Sequence, residues 1–168
     1  MSDAMPTPKQ MFLDTFTTEH ATTMRVLRAF PADKAEFTPH ERSQTAHKLA
    51  WTFVMEQALI TKAITNTMDL GAGMPKPPAG FTTIVDQFDK DFAVLVDLIK
   101  KTPDNQFNTG TTKFYSGPGK IADFPVPGFC WFVLCDQIHH RGQLSVYVRM
   151  AGGKVPSIYG PSADEPWM

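Results

Sequence analysis

Long apolar runs are missing from this 168-residue chain, and none approaches the roughly 18 residues that a membrane span requires. The N-terminus carries polar Thr, Pro and Lys where a secretory signal would have a continuous apolar segment, so the expected home is the cytoplasm, with no membrane partner. Charge of one sign is missing too. With 16 basic and 17 acidic residues the net charge is -1, and like charges do not run in blocks, so there is no field for a polyanion and nucleic acid is not an expected partner. Cysteine is scarce: Cys130 and Cys135 lie on one expected helix where their directions diverge, and they read as reduced core thiols. There is no Gly-rich phosphate loop, no Ser-His-Asp order and no Cys-x-x-Cys pair, which leaves nucleotide hydrolysis, acyl-enzyme chemistry and thioredoxin-like redox work without support.

What is present is helical periodicity, with 42% hydrophobic residues, enough for one domain over 1–168 to bury a core without staples. Between Pro8 and Phe30, the positions Phe12, Phe16, Thr23, Leu27 and Phe30 trace one stripe, and Pro31 stops the helix. A second helix, capped by Ser43, is expected to run to about Leu70 with Leu49, Phe53, Leu59, Ile60 and Ala63 inward. The glycines and prolines of 71–80 break it. A third follows from Thr82 or Thr83 to Lys101, with Ile84, Phe88, Phe92, Leu95 and Ile99 on one face and Asp86, Asp89, Lys90 and Asp97 outward. The Gly-, Pro-, Asn- and Thr-rich stretch from Asp104 to Pro127 is a long connection with room for a short hairpin, and a fourth helix runs from Gly128 to Met150 before Gly152-Gly153 and an irregular tail. Four apolar stripes are most simply buried in an all-α four-helix bundle with a long crossover loop between its third and fourth helices.

The fourth helix carries the chemistry. Asp136 and His140 are four residues apart, so they stand on one helical face, and Phe129, Phe132, Val133, Leu144, Tyr147 and Met150 around them mark that face as buried. A buried carboxylate and imidazole need partners, and either a divalent cation or a hydrogen-bond network supplies them.

The run His139-His-Arg-Gly-Gln-Leu144, followed by Tyr147, Arg149, Gly152-Gly153 and Pro156-Ser-Ile-Tyr-Gly-Pro-Ser162, resembles the DinB-like (DinB/YfiT) superfamily of bacterial four-helix-bundle proteins. Ser43, the Leu49-Ala50-Trp51 step and Glu56 resemble that family's second helix, so the likeness covers most of the chain. The resemblance implies a divalent metal, nickel or zinc, held by three histidines, one on the second helix and two spaced His-x-x-x-His on the fourth. It also implies thiol-dependent transferase or isomerase activity on a small molecule, and pairing into a homodimer. His140 matches the last histidine, Asp136 replaces the one before it, and Thr52 stands where the second-helix histidine would be. An aspartate is an adequate anionic ligand, whereas a threonine hydroxyl is a weak one. Glu56, one turn beyond Thr52 on the same face, is the best local replacement, with His47 as its competitor.

Bland readings stand beside these. Asp136 could simply accept hydrogen bonds from His140, Thr52 or water, and Glu56 could pair with Arg141. His139 reads as a surface residue that a small helix rotation could exchange with His140. His20 reads as a satisfied core histidine, and His40 and His47 as solvated or capping groups. Arg141, Gln143 and Arg149 read as structural, with the Tyr159–Ser162 segment folded back over the helices. Two functions follow: a metal-dependent enzyme that activates a low-molecular-weight thiol toward a small electrophile, or a bundle that has lost its metal and serves as a small-molecule-binding or dimeric interaction module.

Overall fold

In the computed structural model, which describes residues 5–168, the chain is mostly helical. Helix α1 spans Pro8–Ala29, α2 Ala46–Ile64, α3 Phe81–Lys101, α4 Asp104–Thr109 and α5 Val126–Met150, and a hairpin of β1 (Thr111–Gly117) and β2 (Lys120–Pro125) precedes α5. The all-α expectation is therefore corrected by this two-stranded antiparallel sheet. No helix among the described residues is long and apolar enough to cross a membrane.

Local chemistry explains the boundaries. The Thr7 hydroxyl accepts from Gln10 N and Pro8 opens α1, while Phe30 leaves the helical region ahead of Pro31. Thr45, and not Ser43, caps α2 by accepting from Lys48 N. That helix stops at Ile64, short of Leu70, because Asn66 turns left-handed at φ 55° and Thr67 N–H reaches back to the Lys62 carbonyl at 2.9 Å. This is a Schellman-type stop with asparagine in the position usually given to glycine. Gly80 starts α3 one residue ahead of Thr82, at the buried Phe81, and Val126-Pro127 starts α5 just before Gly128.

Helix α1 packs against α3 and α5, and α2 packs against the same pair. The long connection carries the chain between α3 and α5. Its hairpin turns at Pro118-Gly119, with Gly119 at φ 67°, and lies against α2 and α5. After α5, Gly152 adopts φ 84° and Gly153 lets the chain pass α1, where an added Cβ would stand 2.6 Å from the Ala29 carbonyl oxygen. The tail then folds back as expected: Arg149 pairs with Asp164, Arg25 with Glu165, and Ser162 Oγ donates to the Val155 carbonyl.

Two apolar cores form. One centres on Leu27, Leu49, Phe53, Ile84, Phe88 and Leu144, the other on Phe12, Phe16, Ile60, Leu95, Phe129 and Val133. Each fully buried Phe contributes on the order of 2 kcal/mol. Along α1, α2 and α5 the two cores are separated by buried polar residues: Glu19, His20 and Thr23, then Glu56 and Gln57, then Gln137 and Arg141. The expected buried face of α5 needs correction at its edges, since Phe132 is 52% and Met150 54% exposed. Cys130 is a buried free thiol as expected, but Cys135 is exposed.

Candidate metal centre

The polar layer brings α2 and α5 together at one point. Glu56 Oε1 lies 2.7 Å from His140 Nδ1, while His140 Nε2 lies 4.0 Å from Asp136 Oδ1. One ligand atom from each of Glu56, Asp136 and His140 can be chosen so that all three lie within 4.8 Å of one another. The three form a gradient from interior to rim, with side chains 5%, 17% and 44% exposed for Glu56, His140 and Asp136. The expectation that the face carrying Asp136 and His140 is buried therefore holds only in part: His140 is partly buried and Asp136 is open to solvent. Phe53 meets the His140 ring edge-on at 6.3 Å and limits its rotation.

Burial pushes the Glu56 carboxyl up from an ordinary 4.5 to about 7, partly opposed by its bond to His140 and reinforced by the Asp136 carboxylate. The bond to Glu56 raises His140 against the effect of burial. The pair thus holds a proton near neutral pH. The second carboxylate oxygen, Glu56 Oε2, is buried and has no hydrogen-bond donor beside it among the described residues. A buried carboxylate oxygen without a donor is costly, and a cation is one group that removes the cost. Two carboxylates and one imidazole suit zinc, nickel, manganese or iron, so the donor set fits a divalent ion.

The other sequence candidates lie elsewhere. The Thr52 hydroxyl donates to the Lys48 carbonyl of its own helix at 3.2 Å. His47 faces the Pro78 carbonyl, and His139 is an exposed residue beside Gln143. The Glu56–Arg141 pairing is corrected: Arg141 reaches Glu19 at 2.6 Å and Tyr159 Oη at 2.6 Å, leaving Glu56 to His140. His20 is a buried core histidine that stacks on Phe92, but it is only half satisfied: Nε2 faces Asp89 at 3.0 Å, whereas Nδ1 has no hydrogen-bond partner among the described residues. Sequence reasoning missed Glu19, whose signal was an acid beside His20 on the apolar side of α1. It also missed Gln57 and Gln137, which are buried with amide atoms lacking partners among the described residues and directly follow Glu56 and Asp136 in sequence.

The DinB family profile matches residues 5–167. The chain belongs to the DinB family. The chain resembles the uncharacterized protein YrdA of Bacillus subtilis, 25% identical over 92% of this chain and 89% of that one. A DinB-like protein of Bacillus cereus superposes with a TM-score of 0.74 at 23% identity, over 88% of this chain and 95% of that one. The DinB-like protein YjoA of Bacillus subtilis gives 0.66 at 15% identity, over 94% and 99%. These structures share the fold.

Proposed function

We propose that this DinB protein is a divalent-metal-dependent enzyme on a four-helix bundle, with Glu56, Asp136 and His140 as its protein ligands and nickel or zinc as its metal. A low-molecular-weight thiol and a small electrophile are its substrates in this reading, and transfer of the thiol is its reaction. The buried, partnerless Glu56 Oε2 carries the metal assignment. The thiol chemistry is supported by the family resemblance. A bound divalent cation would lower the pKa of a thiol and supply thiolate at neutral pH.

The protein's own residues set the terms. Glu56 and His140 must release the proton they hold before both can face a cation, so loading is expected to be favoured by rising pH. Asp136, at the rim, leaves a solvent-side approach. Thr52, with its hydroxyl on Lys48, is outside the proposed set. Pairing of two copies belongs to the same reading and is supported by Phe132, Val146 and Met150, exposed apolar residues whose spacing places them on one side of α5. The cytoplasm is the proposed compartment.

A second reading rests on the 2.7 Å Glu56–His140 bond, which satisfies one atom of each group without an ion. In that reading the protein is a metal-free binding module. Metal content by inductively coupled plasma mass spectrometry, on protein purified without a metal-carrying tag, separates the two. About one ion per chain, lost in Asp136→Ala/His140→Ala, is expected; retention in the double variant, or no metal after reconstitution, overturns the metal reading. Turnover of glutathione or cysteine with 1-chloro-2,4-dinitrobenzene, dependent on that ion, then tests the thiol step.

A further inference from the structure

A separate cavity of about 260 Å³ lies between α2, the connection after it and the first strand. Its walls include Met55 of α2, Met68 and Met74 of the connection, and Phe114 and Tyr115 of β1. Three thioethers against two aromatic rings make an apolar lining that adjusts to its contents. The Tyr115 hydroxyl donates to the Leu70 carbonyl at 3.4 Å, tying the hairpin to the connection across the cavity.

Two charged residues line this space, Lys62 and Asp69. Asp69 Oδ1 accepts the Gly71 N–H at 2.8 Å and closes a turn at the connection side of the cavity. Lys62 is half-buried and makes no ion pair among the described residues. It also borders a neighbouring cavity with Asp91, but that carboxylate is held by Gln87 Nε2 at 2.5 Å. Lys62 is thus a cationic side chain, without an ion pair among the described residues, at the edge of an apolar hollow, an arrangement suited to an anion attached to an apolar body.

We infer that this cavity binds a small apolar carboxylate, an aromatic or branched aliphatic acid of roughly ten heavy atoms, with its carboxylate on Lys62. The volume lies just below the roughly 300 Å³ at which drug-sized ligands begin, which favours a compact molecule over a peptide segment. The site does not depend on the metal reading, so it is tested on chelator-treated protein.

The probes are 3-phenylpropionate and its uncharged amide, titrated into protein carrying ¹³C-methyl methionine and followed by methyl NMR. Of the nine methionines, Met55, Met68 and Met74 should shift together and saturate, while Met24 and Met150 stay still. The amide should bind about tenfold more weakly, and Lys62→Gln should weaken the acid by a similar factor, as expected for one charge-assisted contact. Ala58→Phe, which fills the cavity from α2, should abolish the shifts while helical circular dichroism is unchanged. Absence of a saturable shift at those three methyls, equal binding of acid and amide, or full binding by Ala58→Phe would each overturn the proposal.

Discussion

Replacing Glu56 by glutamine should make the metal-free protein more stable at alkaline pH while destroying the metal response. The carboxyl sits at about 7 in the folded chain against 4.5 as an ordinary group. For a carboxyl raised by folding, the associated stability is fully present below 4.5 and is lost as pH rises through 7, because the folded state binds the proton more tightly. At pH 8 the ionised carboxylate therefore costs about 3 kcal/mol relative to its protonated form. Glutamine never ionises and its Nε2–H can still donate to neutral His140 Nδ1, so a loss of about 1 kcal/mol for the weaker hydrogen bond leaves a net gain of about 2 kcal/mol. With an unfolding entropy of about 2.1 cal/mol/K per residue, this raises Tm by roughly 6 °C. The assay is thermal and urea unfolding followed by circular dichroism in excess chelator, at pH 8 and pH 4.5. At pH 4.5, where the folded-state carboxyl is protonated, the gain should disappear and leave a loss of up to about 1 kcal/mol from the weaker hydrogen bond, and added zinc or nickel should raise Tm of the parent but not of Glu56→Gln. A variant less stable than the parent at pH 8 would show that Glu56 is a structural anchor for His140, and the functional reasoning would fail.

Other outcomes follow from the same packing. Arg141→Met strips the buried Glu19 of its cationic partner, leaving it the Tyr159 hydroxyl, and should cost about 3 kcal/mol, roughly 8 °C in Tm, with part recovered in Glu19→Leu/Arg141→Met; a loss below about 1 kcal/mol refutes the pairing. Burial depresses His20 despite Asp89, so its contribution is present above the ordinary 6.5 and is lost as pH falls below it; His20→Gln should flatten the pH dependence of urea midpoints between pH 7 and 5, and an unchanged slope counts against this. Under the proposed pairing, Val146→Asp should give a monomer by sedimentation velocity with helical circular dichroism unchanged and Tm lowered only by the lost association, while an unchanged mass relative to the parent counts against pairing through α5.

The helices were legible because Phe12, Phe16, Phe53, Phe88 and Phe129 recur at a period that only burial against other helices satisfies. The pairing of Asp136 with His140 survives any packing, since four-residue spacing is set by the helix itself. Glu56 was reachable as the next turn from Thr52. The partner of Arg141 was not legible: successive residues point about 100° apart on a helix, so His140 faces α2 while Arg141 faces α1, and spacing does not say which neighbour stands on which side. The exposure of Phe132 and Met150 was hidden for a related reason, because α5 carries apolar residues around much of its circumference. Asn66 in a left-handed turn ended α2 early, a role more often signalled by glycine.

The polar layer between the two cores also fixes which turn of each helix meets which. Glu19 is matched to Arg141 across α1 and α5, Glu56 to His140 across α2 and α5, and His20 to Asp89 across α1 and α3. Sliding any one of these helices by a single turn, about 5.4 Å, would strand ionisable groups among phenylalanines on one side and leave a vacancy on the other. The candidate ligands thus double as an address code for assembly. A chain with the whole layer rebuilt in leucine would be expected to fold tightly and yet hold several alignments at once.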